Sequence, residues 1–335
     1  MFKISKERFT EIFELLSKKM EVYLPVSSDG FTNFGLYHSN ADVDFETLKT
    51  IKPPKELFLP QSENLYEGFR DGKNIRIRPE KFKDLPFVVF GTRGCDLLGI
   101  EILDKVYLNE PVDRFYESRR NNGCIVSLAC KNPQNTCFCK AFDVDAANPK
   151  ADVTMWDAGD FMYFEPVTEK GENLVKNFSH LTEPADAAEV KQQQREIRDK
   201  IEKLPYSGLS LKLFEETEML EIFDSPAWDK LHEACIACGT CTFVCPTCQC
   251  YDIMDYDTGS GVIRYRCWDS CMYSDFTLMA HGNPRKTQKE RFRQRFMHKL
   301  VYHPSCVGCG RCVNKCPVSL NIVKVVKSLG VTAHA

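Results

Sequence analysis

Along the chain, apolar positions alternate with polar ones in patterns that predict a mixture of strands and helices. Residues 2–20 place apolar side chains at Phe9, Ile12, Phe13, Leu15 and Leu16, close to the helical period, and predict an amphipathic helix. Short strands are expected at Val22–Val26 and around Gly35–Tyr37. Pro53 and Pro54 keep residues 51–56 extended or turned. The clearest strand is Pro86–Phe90, a run of β-branched and aromatic residues that enters a turn at Gly91–Asp96, followed by a helix over Leu97–Val106. A second apolar run, Cys124–Leu128, ends at Ala129-Cys130. Strand, loop, helix and strand make an α/β unit with Cys95 and Cys130 at the carboxyl edge of the sheet, where ligands sit in such folds. Val153–Trp156 and Phe161–Glu165 flank Asp157-Ala158-Gly159-Asp160 and predict a hairpin.

Near residue 184 the composition changes. Ala185–Leu204 is charged, Gln-rich and helix-favouring, Leu211–Ala234 is mainly helical, and Asp275–Leu300 also reads as helix. The expectation is an α+β protein: a mixed α/β domain over 1–184, then a helical lead-in and an α-helical ferredoxin domain over 185–335.

The second domain is set by cysteine. Cys235–Pro246 reads C-I-A-C-G-T-C-T-F-V-C-P, and Cys306–Pro317 repeats the pattern as C-V-G-C-G-R-C-V-N-K-C-P. Three cysteines two residues apart, then a fourth three further on with proline behind it, is the ligand run of bacterial ferredoxins, in which the fourth cysteine serves the other cluster. One [4Fe–4S] centre is therefore assigned Cys235, Cys238, Cys241 and Cys316, and the second Cys306, Cys309, Cys312 and Cys245. Thiolates are soft donors suited to iron. A pair of zinc knuckles would want paired C-x-x-C motifs rather than a triple.

The chain has 17 cysteines, so others need an account. Cys95, Cys130, Cys137 and Cys139 come from one strand edge and its loops and would make a third four-cysteine site, or else serve as small buried hydrophobes. Cys248, Cys250, Cys267 and Cys271 follow or lie between the ferredoxin runs and could hold a further metal site, iron–sulfur or zinc, or line the core. Cys124 sits mid-strand and reads as core. The basic run Arg285, Lys286, Lys289, Arg291, Arg293, Arg295 and Lys299 reads first as a solvated helix face, with docking of an acidic partner or tuning of a cluster as the alternative. His281-Gly282-Asn283-Pro284 reads as a turn.

Composition narrows the class. Hydrophobic residues at 43%, charged residues at 27% and a net charge of −3 describe an ordinary globular protein without the basic excess of nucleic-acid partners. No apolar run approaches the roughly 20 residues of a membrane span, and the charged start is no secretory signal, so a cytoplasmic, cysteine-ligating protein is expected. There is no G-x-G-x-x-G after a strand, no P-loop and no nucleophile elbow, and no catalytic residue is nominated.

The run C-I-A-C-G-T-C-T-F-V-C-P-T-C-Q-C-Y, the C-W-D-S-C-M at Cys267–Met272 and the second ferredoxin run resemble the iron–sulfur subunit of anaerobic sulfite reductase. They equally resemble the β subunit of cytoplasmic sulfhydrogenases. P-P-K-E at Pro53, G-T-R-G-C-D-L-L-G-I around Cys95 and T-C-F-C at Cys137 and Cys139 extend the likeness over most of the chain. The resemblance implies a third [4Fe–4S] cluster on Cys95, Cys130, Cys137 and Cys139. It implies an electron-transfer protein that relays single electrons from a flavin/NAD(P)H subunit to a terminal reductase or hydrogenase, in an anaerobic multi-subunit oxidoreductase, with ferredoxin as a further partner. After Cys139 the chain has Lys140-Ala141-Phe142-Asp143 where relatives carry a Ser-Met-Gly-Thr run, which leaves the subfamily open. Sulfite reductase-like relay is the first expectation; a sulfhydrogenase, NiFe hydrogenase or electron-bifurcating relay is the alternative. Of other classes, a self-contained flavin or small-substrate enzyme and a zinc-stabilised scaffold remain.

Overall fold

A computed structural model describes residues 1–82 and 85–332. Its strands are β1 Phe2–Ser5, β2 Glu21–Ser28, β3 Phe31–Leu36, β4 Ser62–Asp71, β5 Asn74–Pro79, β6 Phe87–Thr92, β7 Gly123–Leu128, β8 Val153–Ala158, β9 Phe161–Pro166, β10 Glu183–Pro184, β11 Tyr251–Asp257 and β12 Gly261–Trp268. Its α-helices are α1 Phe9–Leu16, α2 Gly94–Tyr107, α3 Arg114–Asn122, α4 Glu169–Phe178, α5 Ala188–Glu202, α6 Lys212–Glu216, α7 Met219–Phe223, α8 Trp228–Leu231, α9 Thr240–Phe243, α10 Gln288–Met297, α11 Arg311–Lys315 and α12 Ile322–Thr332. They form two compact units. Of the described residues, unit 1 comprises 1–55, 85–210 and 307–311, and unit 2 comprises 56–82, 211–306 and 312–332.

Unit 1 is built on one mixed sheet of order β10-β1-β9-β8-β7-β6-β2-β3. Strands β2, β6, β7 and β8 run parallel, and antiparallel strands flank them. Because successive side chains point to opposite faces, Met155 and Phe164 meet α1 and α4 through Ile12, Phe13, Leu16, Leu174 and Phe178. Trp156 and Tyr163, one residue along each strand, face the other way, toward Val190, Ile197 and Ile201 of α5. The indole of Trp156, fully buried, donates to the Ala147 carbonyl at 2.9 Å, so its polar edge costs little. α5, which follows the change of composition near residue 184, thus buries its apolar stripe within unit 1.

The expected strands of this unit form, and α2 begins at Gly94, ahead of the Leu97 start that the apolar period suggests. The helix predicted over residues 2–20 is shorter than expected. Phe2–Ser5 is a strand, paired with β9 and β10. The helical period begins only at Phe9, and the residues before the short 3-10 turn at Lys6–Arg8 are claimed by backbone pairing with segments far along the chain.

Unit 2 carries an antiparallel sheet of order β11-β12-β4-β5. The hairpin β11–β12 lies in the insertion between the ferredoxin runs and pairs with β4, from the first quarter of the sequence. A buried ion pair, Arg266 to Glu63 at 2.6 Å, locks β12 to β4. Around the sheet the unit is helical: Trp228 of α8 meets Phe292 of α10 edge to face at 6.2 Å. The helix expected over 275–300 is confined to Gln288–Met297, followed by a π turn at His298–Tyr302. Gly282 at positive φ and Pro284 prevent an earlier start, and Thr287 with Glu290 form the capping box that begins α10. Among the described residues no helix is long and apolar enough to cross a membrane.

Candidate metal centres

In unit 1 the carboxyl ends of parallel strands β6 and β7 lie side by side, with Thr92 opposite Ser127. That register brings Cys95, in the first turn of α2, and Cys130, just past β7, to one edge of the sheet. The loop after Cys130 returns Cys137 and Cys139 to the same place. All four line one cavity of about 20 Å3, and a fifth sulfur, Cys309, joins them from the segment Val307–Arg311. Each of the five is buried.

Backbone and cations hold this cradle. The Arg93 guanidinium donates to the carbonyls of Leu48 at 2.9 Å, Ala129 at 3.0 Å and Phe45 at 3.2 Å, which ties the loops to the sheet. Lys49 Nζ reaches Cys137 Sγ at 3.5 Å and donates to the Cys309 carbonyl at 2.8 Å. Burial pushes the Cys130 thiol up to about 11, against the pull of Arg93. Burial, then the neighbouring Cys130 and Cys137 sulfurs, push Cys139 up to about 12. Burial and then Asp96 hold Cys95 well above the ordinary thiol range. Such thiols stay protonated by themselves, and a thiophilic metal would displace their protons. Convergent sulfurs, an enclosed apolar wall and two cations suit an anionic, sulfur-ligated group. Cys124 stays outside, on the opposite face of the sheet, in the core with Phe13 and Val126.

Cys309 at this cavity was not expected. Local spacing assigns it to a ferredoxin run and carries no signal of neighbours far earlier in the sequence. Its approach requires glycine on both sides. Gly308 has φ +62°, its carbonyl accepts from Phe138 N–H at 2.9 Å, and a Cβ there would stand 2.5 Å from the Cys139 Cα. Gly310 has φ +74°, with the Thr136 carbonyl oxygen 2.2 Å from its would-be Cβ. Gly308→Ala is expected to destabilise the protein by at least roughly 1–3 kcal/mol from backbone strain alone. A urea melt that gives the wild-type midpoint would show that the segment does not need this approach.

In unit 2 the first ferredoxin run turns at Gly239, φ +74°, into α9. The sulfurs of Cys235, Cys238, Cys241 and Cys316 share one neighbourhood. Burial raises the Cys235 thiol and the Cys238 and Cys316 sulfurs add to it; burial likewise raises Cys241, with Cys235 and Cys245 adding. Cys306 and Cys312 of the second run belong to unit 2 and Cys309 to unit 1.

Of the last group, three come together and one does not. A hydrogen bond from Cys248 holds the Cys245 thiol well below its usual range. One from Cys271 pulls Cys250 down to about 6, and Cys271 rises in return. Cys267 stands apart on the hairpin, 4.0 Å from Met254 Sδ and beside Asp252 and Asp269. Among the described residues no three His, Cys, Asp or Glu side chains are placed to hold a single metal ion.

The basic run is not the solvated face expected of it. Arg293 stacks on Phe223, 3.6 Å from the ring centroid, and Arg291 caps the carbonyls of Arg285 and Met272. Arg295 and Lys299, four residues apart, are 2% and 3% exposed. Arg295 donates to the Cys241 carbonyl at 2.7 Å and to Cys248 Sγ at 3.3 Å; Lys299 donates to Thr247 Oγ1 at 2.7 Å and Ser305 Oγ at 3.2 Å.

Residues 234–320 match the family described as a 4Fe-4S dicluster domain. The whole chain is 34% identical over 331 residues to sulfhydrogenase 2 subunit beta of Pyrococcus furiosus, covering 97% of this chain and 96% of that one. No solved structure matches. At that identity over nearly the full length of both proteins, the chain belongs to the sulfhydrogenase beta-subunit family of iron–sulfur proteins.

Proposed function

We propose that this chain is the electron-relay subunit of a cytoplasmic sulfhydrogenase-type complex. From a flavin/NAD(P)H subunit it takes single electrons, which it passes to a hydrogenase or reductase. The observation that carries the reading is the pair of ferredoxin runs, eight cysteines in two copies of one pattern, within the segment that matches the dicluster family. The ferredoxin pattern of the sequence assigns Cys235, Cys238, Cys241 and Cys316 to one cluster and Cys306, Cys309, Cys312 and Cys245 to the other. Cys95, Cys130, Cys137 and Cys139 would hold a third at the sheet edge of unit 1. We read the carboxyl-terminal part as a helical ferredoxin-type domain that carries a β-hairpin in its insertion.

When bound, each cluster supplies a one-electron centre. The chain's own residues do the rest. The glycines around the ligand runs admit close backbone approach, the buried walls exclude water, and Lys49, Arg93, Arg295 and Lys299 place positive charge beside sulfur. Of the two complexes whose subunits the sequence resembles, the sulfhydrogenase type is favoured by the name of the relative. A sulfite reductase relay is the alternative, and the terminal protein that co-purifies, NiFe or sirohaem, distinguishes them.

The test is iron and acid-labile sulfide per chain after anaerobic purification. About twelve of each is the expected result, and about eight would leave only the ferredoxin pair. Stoichiometric zinc without iron would overturn the relay.

A further inference from the structure

We propose that Arg295 and Lys299 set the reduction potential of the ferredoxin-type clusters upward, by fixing two buried positive charges beside the ligand sulfurs of unit 2. The inference rests on the iron–sulfur reading of the two ferredoxin runs and deepens it.

The two cations come from one helix face. α10 turns Phe292 and Phe296 inward, their rings 4.7 Å apart. Arg295 follows on the buried side, and Lys299 is four residues later, in the π turn that closes the helix. Such turns are frequent at functional sites. Like charges at this spacing repel, and burying each without an anion is costly. Among the described residues no carboxylate lies within ion-pair distance of either one. Their hydrogen-bond partners are neutral or sulfur: a carbonyl, two hydroxyls and a thiol. Arg295 Nε, also buried, has no hydrogen-bond partner at all. A guanidinium whose third donor is left over, in a site walled by cysteine, calls for an acceptor that the protein itself does not supply.

The charge that compensates this burial has one source nearby. The Arg295 guanidinium reaches Cys248 Sγ at 3.3 Å and the Cys241 carbonyl at 2.7 Å. Lys299 Nζ reaches Thr247 Oγ1 at 2.7 Å, and that hydroxyl lies 3.3 Å from Cys245 Sγ. Cys241 belongs to the first ligand set assigned above and Cys245 to the second, while Cys248 belongs to neither. Arg295 leans on the first run through the Cys241 carbonyl. Lys299 leans on the second, through Ser305, which precedes Cys306, and Thr247, which lies two residues past Cys245. Reduction of a cluster adds an electron and breaks no bond. A fixed cation in a low-dielectric wall favours the more negative, reduced state, and so raises the potential.

The test uses the full chain, purified anaerobically, as Arg295→Gln, Lys299→Gln and Arg295→Lys. The readouts are iron content and an EPR-monitored redox titration. Glutamine keeps a donor for the Cys241 carbonyl while removing the charge. The expected result is iron content like wild type with a midpoint shifted to lower potential in both Gln variants, and a smaller shift in Arg295→Lys. Retained iron with unchanged midpoints would overturn the inference. Loss of iron from both Gln variants would make the two residues assembly elements and overturn it as well. If only Arg295→Gln loses iron, the Lys299→Gln midpoint decides. Absence of iron from the wild-type chain would instead overturn the relay reading itself.

Discussion

Asp96→Ala is expected to destabilise the protein by about 3–5 kcal/mol, the scale of removing one partner from a buried ion pair. Arg311 grips Asp96 with both terminal nitrogens, at 2.6 Å and 3.2 Å, and the two side chains are 3% and 1% exposed. Arg311 Nε donates to the Thr50 carbonyl at 3.0 Å, a neutral partner that cannot take up its charge. Without Asp96 a guanidinium would be buried unpaired, and burial already works against its charge. Asp96 also accepts from its own helix, through Arg93 N–H at 3.4 Å, so its loss loosens the first turn of α2, where Cys95 sits.

The pair joins two stretches of unit 1 that are far apart in sequence: the turn carrying Cys95 and the segment carrying Cys309. Arg311→Met should cost a similar amount, since it strands a buried carboxylate. The double variant Asp96→Leu/Arg311→Met should recover much of the loss, because apolar residues of similar volume often replace a buried pair at little cost. Chemical denaturation of wild type, Asp96→Leu, Arg311→Met and the double closes the cycle. Strictly additive losses would show that the two residues are not a unit.

Legibility in the sequence followed locality. β6 and β7 were readable because a strand buried on both faces is a continuous run of β-branched and aromatic residues, as in Phe87–Phe90 and Cys124–Leu128. The β8–β9 turn announced itself through Gly159. The ligand runs were readable because cluster geometry imposes short, fixed cysteine spacings. The hairpin β11–β12 was not. Every residue of β11 is exposed, so no alternation of buried and open positions marks it, and β4, with which β12 pairs, lies far away in the chain. Arg295 and Lys299 depart from the solvated face for the opposite reason. A dense run of cations normally seeks water, and only the tertiary placement of cysteine sulfur reverses that preference. Cys309 could be assigned a run by spacing, but its wall-mates Cys95, Cys130, Cys137 and Cys139 are brought to it by the sheet edge and by glycine contacts that no local pattern encodes.

Cys139→Ala is expected to remove about four irons per chain while leaving the EPR signals of the ferredoxin pair. Alanine is close to cysteine in volume and Cys139 is already enclosed, so the packing cost is small beside the loss of a ligand. Cys124→Ala is the matched control: it too is a buried cysteine of unit 1, with its thiol pushed up to about 12 by burial and then Asp152, but it points into the hydrocarbon core rather than the sulfur-lined cavity. Full iron in Cys124→Ala with a loss of about a third in Cys139→Ala would place the third cluster at the sheet edge. Full iron in both would remove that cluster from unit 1, and Cys271→Ala would then show whether the Cys248, Cys250 and Cys271 group holds it. The comparison separates a ligand from a buried thiol because burial and a raised thiol are common to Cys124 and Cys139, and only the convergence of other sulfurs differs.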